Sequence, residues 1–95
     1  MATFIMRGKY STEAMKKISS ERSVKAQQIV QQCGGSNFTV YATMGESDIL
    51  AIVDFPDASD AMKASVGLTQ ELEVSFATVP AIRAEDFDKL VSGKS

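Results

Sequence analysis

Apolar positions in this chain either alternate or recur every three to four residues along nearly its whole length. Residues 3–10 alternate, with Phe4 and Met6 on one side and Ile5, Arg7 and Lys9 on the other, the two-residue period of a strand. Ser11 and Thr12 offer N-caps to a short helical turn over 13–18, and Ser19-Ser20 interrupts it and can cap again. From Glu21 a longer helix carries Ala26, Ile29, Val30 and Cys33 at the spacing of a buried stripe, with Gln27, Gln28, Gln31 and Gln32 mainly off it. Gly34-Gly35 stops that helix, because glycine takes the left-handed position after a helix without a Cβ penalty.

A second strand is expected over 37–44, with Phe38, Val40, Ala42 and Met44 on one face and Thr39, Tyr41 and Thr43 on the other. A tight turn at Gly45-Glu46-Ser47-Asp48 leads into a third, where Ile49, Ala51, Val53 and Phe55 alternate with Leu50, Ile52 and Asp54. Pro56-Asp57 ends the strand and caps a helix whose inner stripe is Ala58, Ala61, Met62 and Ser65, with Gly67 loosening its end. Leu72, Val74, Phe76 and Thr78 then alternate with Glu73, Ser75, Ala77 and Val79 in a fourth strand closed by Pro80. A last short helix over 84–91 packs through Phe87, Leu90 and Val91, and the tail 92–95 is expected to fray.

Strand, helix, strand, strand, helix, strand is the ferredoxin-like βαββαβ order of an α+β fold. Right-handed crossovers put both long helices on one face of a four-stranded antiparallel sheet ordered fourth, first, third, second. The sheet then has unlike faces. Phe4, Met6, Phe38, Val40, Ala42, Met44, Ile49, Ala51, Val53, Phe55, Leu72, Val74 and Phe76 make the helix-covered core. The other face mixes Ile5, Tyr41, Leu50, Ile52, Ala77 and Val79 with Arg7, Lys9, Thr39, Thr43, Asp54 and Glu73. Nothing in the chain is large enough to cover that second face, and exposed apolar surface of this kind marks an interaction site. A two-fold homodimer through the open face is the expected solution.

Composition narrows the function. Ninety-five residues make one domain with a modest core. Ten basic against twelve acidic side chains, scattered along the chain, give no electrostatic footprint for nucleic acid or an anionic membrane. The lone Cys33 has no internal disulfide partner, and no run reaches signal-peptide or membrane-spanning length, so a cytoplasmic location is expected. Histidine is absent altogether, which excludes Ser-His-Asp and Cys-His nucleophile systems and any histidine-held haem or zinc. Neither a cofactor nor a metal is expected.

The turn Gly45-Glu46-Ser47-Asp48 followed by Ile-Leu-Ala-Ile-Val-Asp-Phe-Pro-Asp resembles the GYD-domain family of small bacterial proteins. Lys9-Tyr10 after the first strand, Ser20-Glu21-Arg22 opening the long helix, the Gly34-Gly35 stop and the helix after Pro56-Asp57 extend the resemblance over nearly the whole chain. The family pattern reads Gly-x-Tyr-Asp, and this chain carries Ser47 at the tyrosine position, so any role of that tyrosine toward a ligand is lost or changed. The resemblance implies a single domain over 1–95, a dimer akin to the dimeric α+β barrels, and no particular chemistry.

The candidate residues fall in two groups. Glu46 and Asp48, two apart on a turn freed by Gly45, can share one ligand, or Asp48 can simply bond turn amides while Glu46 is solvated. Two carboxylates are too few oxygens for a metal site. Arg7, Lys9, Tyr41, Thr43 and Asp54 share the open face with apolar neighbours, the make-up of a small-molecule cleft. There Arg7 and Lys9 would hold an acidic group and Tyr41 and Thr43 would orient the rest; alternatively Arg7 and Asp54 pair across a dimer seam. Cys33, on a packing stripe, reads as an inert core thiol. The leading expectation is a homodimer that binds a small, partly apolar or anionic molecule. A cofactor-independent enzyme using Tyr41, Asp54 or the Glu46/Asp48 turn for proton transfer, and a purely structural assembly subunit, are the alternatives.

Overall fold

A computed structural model describes residues 1–93. Its elements are β1 (Ala2–Tyr10), α1 (Thr12–Lys16), α2 (Ser20–Gln32), β2 (Ser36–Ala42), β3 (Ile49–Phe55), α3 (Ala58–Leu72), β4 (Val74–Ala81) and α4 (Ala84–Ser92). All strand pairs are antiparallel and the sheet order is β2-β3-β1-β4, the ferredoxin-like order expected from the pattern.

The helix starts follow the serines. Ser11 Oγ accepts from the Ala14 amide at 3.0 Å and Ser19 Oγ from the Arg22 amide at 3.3 Å, so each satisfies an amide of a first turn. After α2, Gly34 takes φ +83° and lets the chain reverse into β2. One extra residue then enters β2: Ser36 pairs with Asp54 but Thr39 with Ile52, and Asn37 sits at φ 54°. This bulge keeps Ser36 and Thr39 on the same face, although they are three apart.

The core lies between β1, β3, β4 and α3. Phe4, Met6, Val30, Ala51, Val53, Phe55, Ala61, Ala64, Leu68, Leu72 and Val74 are buried, and the Phe4 and Phe55 rings meet edge to face at 5.9 Å. Full burial of the larger of these side chains is worth about 1.5–3 kcal/mol each.

Several expectations are corrected. Helix α3 runs through Gly67 to Leu72, and β4 begins only at Val74. Its buried stripe is Ala61, Ala64, Leu68 and Leu72, while Met62 faces solvent. Gly67 is kept in the helix by close packing, since a Cβ there would sit 3.2 Å from Ile29 Cγ2 on α2. Strand β4 passes through Pro80 to Ala81, which an edge strand tolerates because its outer side needs no amide donor. Strand β2 stops at Ala42, so Thr43 and Met44 belong to the connection, and Val40, Ala42 and Met44 are exposed rather than core. Met44, in that connection, is 96% exposed.

The largest departure is α4. Phe87, Leu90 and Val91 were expected to pack, yet no residue of this helix is buried, and Leu90 and Val91 are 73% and 68% exposed. The helix ends at Ser92 with Gly93 at φ 75° as its cap, so the expected fraying starts no earlier; Lys94 and Ser95 lie outside the described residues.

Candidate functional site

The connection between β2 and β3 is held from several directions. The Thr43 amide donates to the Asp48 carbonyl at 2.9 Å, and Thr43 Oγ1 donates to the Ser47 carbonyl at 2.7 Å, closing the loop. Gly45 stands at φ +103°, where a Cβ would be strained. Strand β1 then ties the loop down: the Asp48 amide donates to the Gly8 carbonyl at 2.9 Å, and Asp48 Oδ2 accepts from the Tyr10 amide at 3.0 Å. Lys9 Nζ reaches the Glu46 carbonyl at 3.4 Å. The Asp48 carboxylate thus continues the β1–β3 ladder beyond the last backbone pair, bonding an amide on the neighbouring strand rather than in its own turn.

Register places the open-face residues in rows. Ala77, Arg7, Leu50 and Tyr41 form one row across β4, β1, β3 and β2, and Val79, Ile5, Ile52 and Thr39 the next. Arg7, Lys9 and Tyr41 are exposed. Asp54 lies a row further on, where Thr3 Oγ1 donates to its Oδ1 at 2.6 Å and Asn37 Nδ2 to its Oδ2 at 2.8 Å. These two bonds to the charged form, Thr3's first, lower the Asp54 carboxyl below its ordinary value. Asp54 is therefore satisfied within its own chain by the β1 end and the β2 bulge. At the other end, Arg7, Lys9, Glu46, Ser47, Ser75 and Ala77 border a wide hollow of about 380 Å³. The structure brings Arg7, Lys9 and Glu46 together there and leaves Tyr41, Thr43, Asp48 and Asp54 outside its lining.

A more enclosed space lies on the opposite side of the sheet, under α2. It has a volume of about 120 Å³, and its walls are side chains of Met6, Phe38, Ile49, Leu68, Val74 and Phe76 among others. Tyr10, Ser19, Arg22 and Ser23 supply its polar groups. The space follows from the composition of α2. Only the second half of that helix carries the apolar stripe of Ala26, Ile29, Val30 and Cys33, so its first turns lay small and polar residues over the sheet's apolar face. Phe38, Ile49 and Phe76 pack on the core yet stay half-buried, which marks the shortfall. Gly8 is buried against two of the lining side chains: a Cβ there would come within 2.5 Å of Ile49 Cγ2 and 2.7 Å of Phe76 Cε1.

The Arg22 guanidinium, half-buried, donates to the carbonyl of Leu72, the last residue of α3. The ion pairs among the described residues are Lys16–Glu13, Lys25–Glu71 and Arg83–Glu85, none of which involves Arg22. Sequence reasoning missed this space by assigning every inward sheet residue to a filled core. The polar first turns of α2 were the available signal. No group of three or more cysteine or acidic side chains is placed to hold a metal ion among the described residues, and no helix there is long and apolar enough to cross a membrane.

Fold and topology define a ferredoxin-like α+β domain with one sheet face under helices and one face open. The GYD domain family model matches residues 4–91, and the chain belongs to that family. No curated protein matches it.

Proposed function

We propose that this GYD domain binds a small apolar molecule beneath α2 and works as a homodimer closed over its open sheet face. The observation that carries the ligand half is the cavity lined by Met6, Phe38, Ile49, Leu68, Val74 and Phe76. Its 120 Å³ is close to the ~150 Å³ at which an apolar cavity stays dry and admits benzene. Tyr10 and Arg22 are the only ionisable side chains among its lining residues, which favours binding over proton-transfer catalysis. The free thiol of Cys33 suits a reducing, cytoplasmic setting.

Two unpartnered surfaces support the dimer. The open sheet face presents Ile52, Val79 and Tyr41, and α4 presents Phe87, Leu90 and Val91. A nine-residue helix is too short to be stable alone, since isolated helices under about 12–15 residues are marginal in water. Laying α4 on a second copy's sheet covers both surfaces at once.

Benzene in the buffer tests the ligand half. A probe at ten times its dissociation constant adds about 1.4 kcal/mol, a rise of roughly 5–10 °C in Tm for a domain of this size. Ala26→Leu, which fills the space from α2, should abolish that rise; an equal rise in both proteins would refute the reading. Sedimentation equilibrium tests the dimer: the native chain should form a dimer that Ile52→Asp dissociates, and a native monomer at tens of micromolar would refute it.

A further inference from the structure

The cavity reading leaves the chemical class of the occupant open, and the inference drawn here rests on that reading. Apolar side chains form the walls, and the polar lining groups come from Tyr10 at the end of β1 and from Ser19, Arg22 and Ser23 at the start of α2. Arg22 is the one cationic side chain among them. Its guanidinium has five N–H donors in a planar fork. The Leu72 carbonyl takes one donor group, and no carboxylate of the described residues pairs with the cation. A half-buried guanidinium without a counter-charge, set on the lining of an apolar space, attracts an anion, and its geometry suits a carboxylate held by two parallel bonds.

We infer that the occupant is a small apolar monocarboxylate, its hydrocarbon ring or branched chain seated against Phe38, Ile49, Leu68 and Phe76 and its carboxylate on Arg22. The volume suggests the size: a ring or a short branched chain fills 120 Å³. The single cation sets the charge: one carboxylate is neutralised, and a dicarboxylate would carry its second charge into an apolar wall at high cost. Arg22 selects the ligand while it also holds the C-terminal end of α3, so occupancy links α2 to α3 at the cavity rim.

The test compares phenylacetate with phenylacetamide, which has the same shape and no charge. Amide chemical shifts of the ¹⁵N-labelled full chain are followed during each titration, with native protein, Arg22→Met and Arg22→Lys. Phenylacetate should shift the lining residues and bind about tenfold to a hundredfold tighter than the amide, the range for a hydrogen bond to a charged group. Arg22→Met should erase that preference while still binding the amide, which also shows the variant to be folded. Arg22→Lys should retain part of it, a point charge replacing the fork. Equal affinity of acid and amide in the native protein would overturn the inference and leave the cavity reading standing. Failure of both probes to shift the lining residues would overturn both, as would phenylacetate shifting only the Arg7–Lys9 end of the open face.

Discussion

Replacing Asp48 with alanine separates a structural motif from a binding one. The carboxylate accepts from the Tyr10 amide at 3.0 Å, while the Asp48 amide donates to Gly8 and its carbonyl accepts from Thr43. Alanine keeps both backbone bonds and removes only the side-chain acceptor, so the half-buried end of β1 is left with an unmet donor. Leaving such a group unsatisfied costs about 1–3 kcal/mol. For a domain of this length that lowers Tm by roughly 5–20 °C, at about 4–8 °C per kcal/mol. Asparagine retains an oxygen but loses the charge assistance, which roughly halves the bond, and should cost about half as much. Urea and thermal unfolding of the three proteins give the stabilities, and the benzene-induced rise in Tm is read on each. The rise should be the same in all three, because Asp48 does not line the cavity. An Asp48→Ala protein as stable as the native chain would refute the argument, and so would one that stays stable but loses the benzene response.

Two other substitutions probe the remaining supports. Gly8→Ala pushes a Cβ into Ile49 and Phe76 and should cost about 1–3 kcal/mol by overpacking; it should also weaken benzene binding, because both side chains line the cavity. Unchanged stability and affinity would count against that packing. Asp54→Asn tests the lowered carboxyl. A carboxyl depressed in the folded state stabilises the protein above its unfolded value near pH 3.9, and this contribution disappears as pH falls through the folded value. The stability gap between native and Asp54→Asn proteins should therefore be widest above about pH 5 and narrow as pH falls below the unfolded value. A gap independent of pH would show that the Thr3 and Asn37 bonds do not favour the charged form.

Much of the fold was legible because it depends on periodicity. Alternation in β1 and β3, the Gly34-Gly35 stop and the Pro56-Asp57 start fix four elements and their order, and crossover handedness fixes the strand order. Gly67 misled because propensity sees a helix breaker, whereas the structure uses its missing Cβ to bring Ile29 close. Met44 and Val40 misled because alternation gives the facing of a residue and not whether anything covers it. The same limit applies to α4, whose apolar stripe is real although none of its residues is buried. At the candidate site, sequence put Arg7 and Lys9 on the open face and Glu46 in the hairpin turn as separate groups, and only the folded chain brings the three to one hollow. The cavity depends on how far α2 falls short of covering Phe38, Ile49 and Phe76, a distance that no local pattern encodes.

Intermolecular nuclear Overhauser effects between bound benzene and assigned side chains of the native protein test the central claim most directly. The account predicts contacts from benzene to Met6, Phe38, Ile49, Leu68 and Phe76 beneath α2. Contacts instead to Ile5, Ile52 and Val79 on the open face would contradict it.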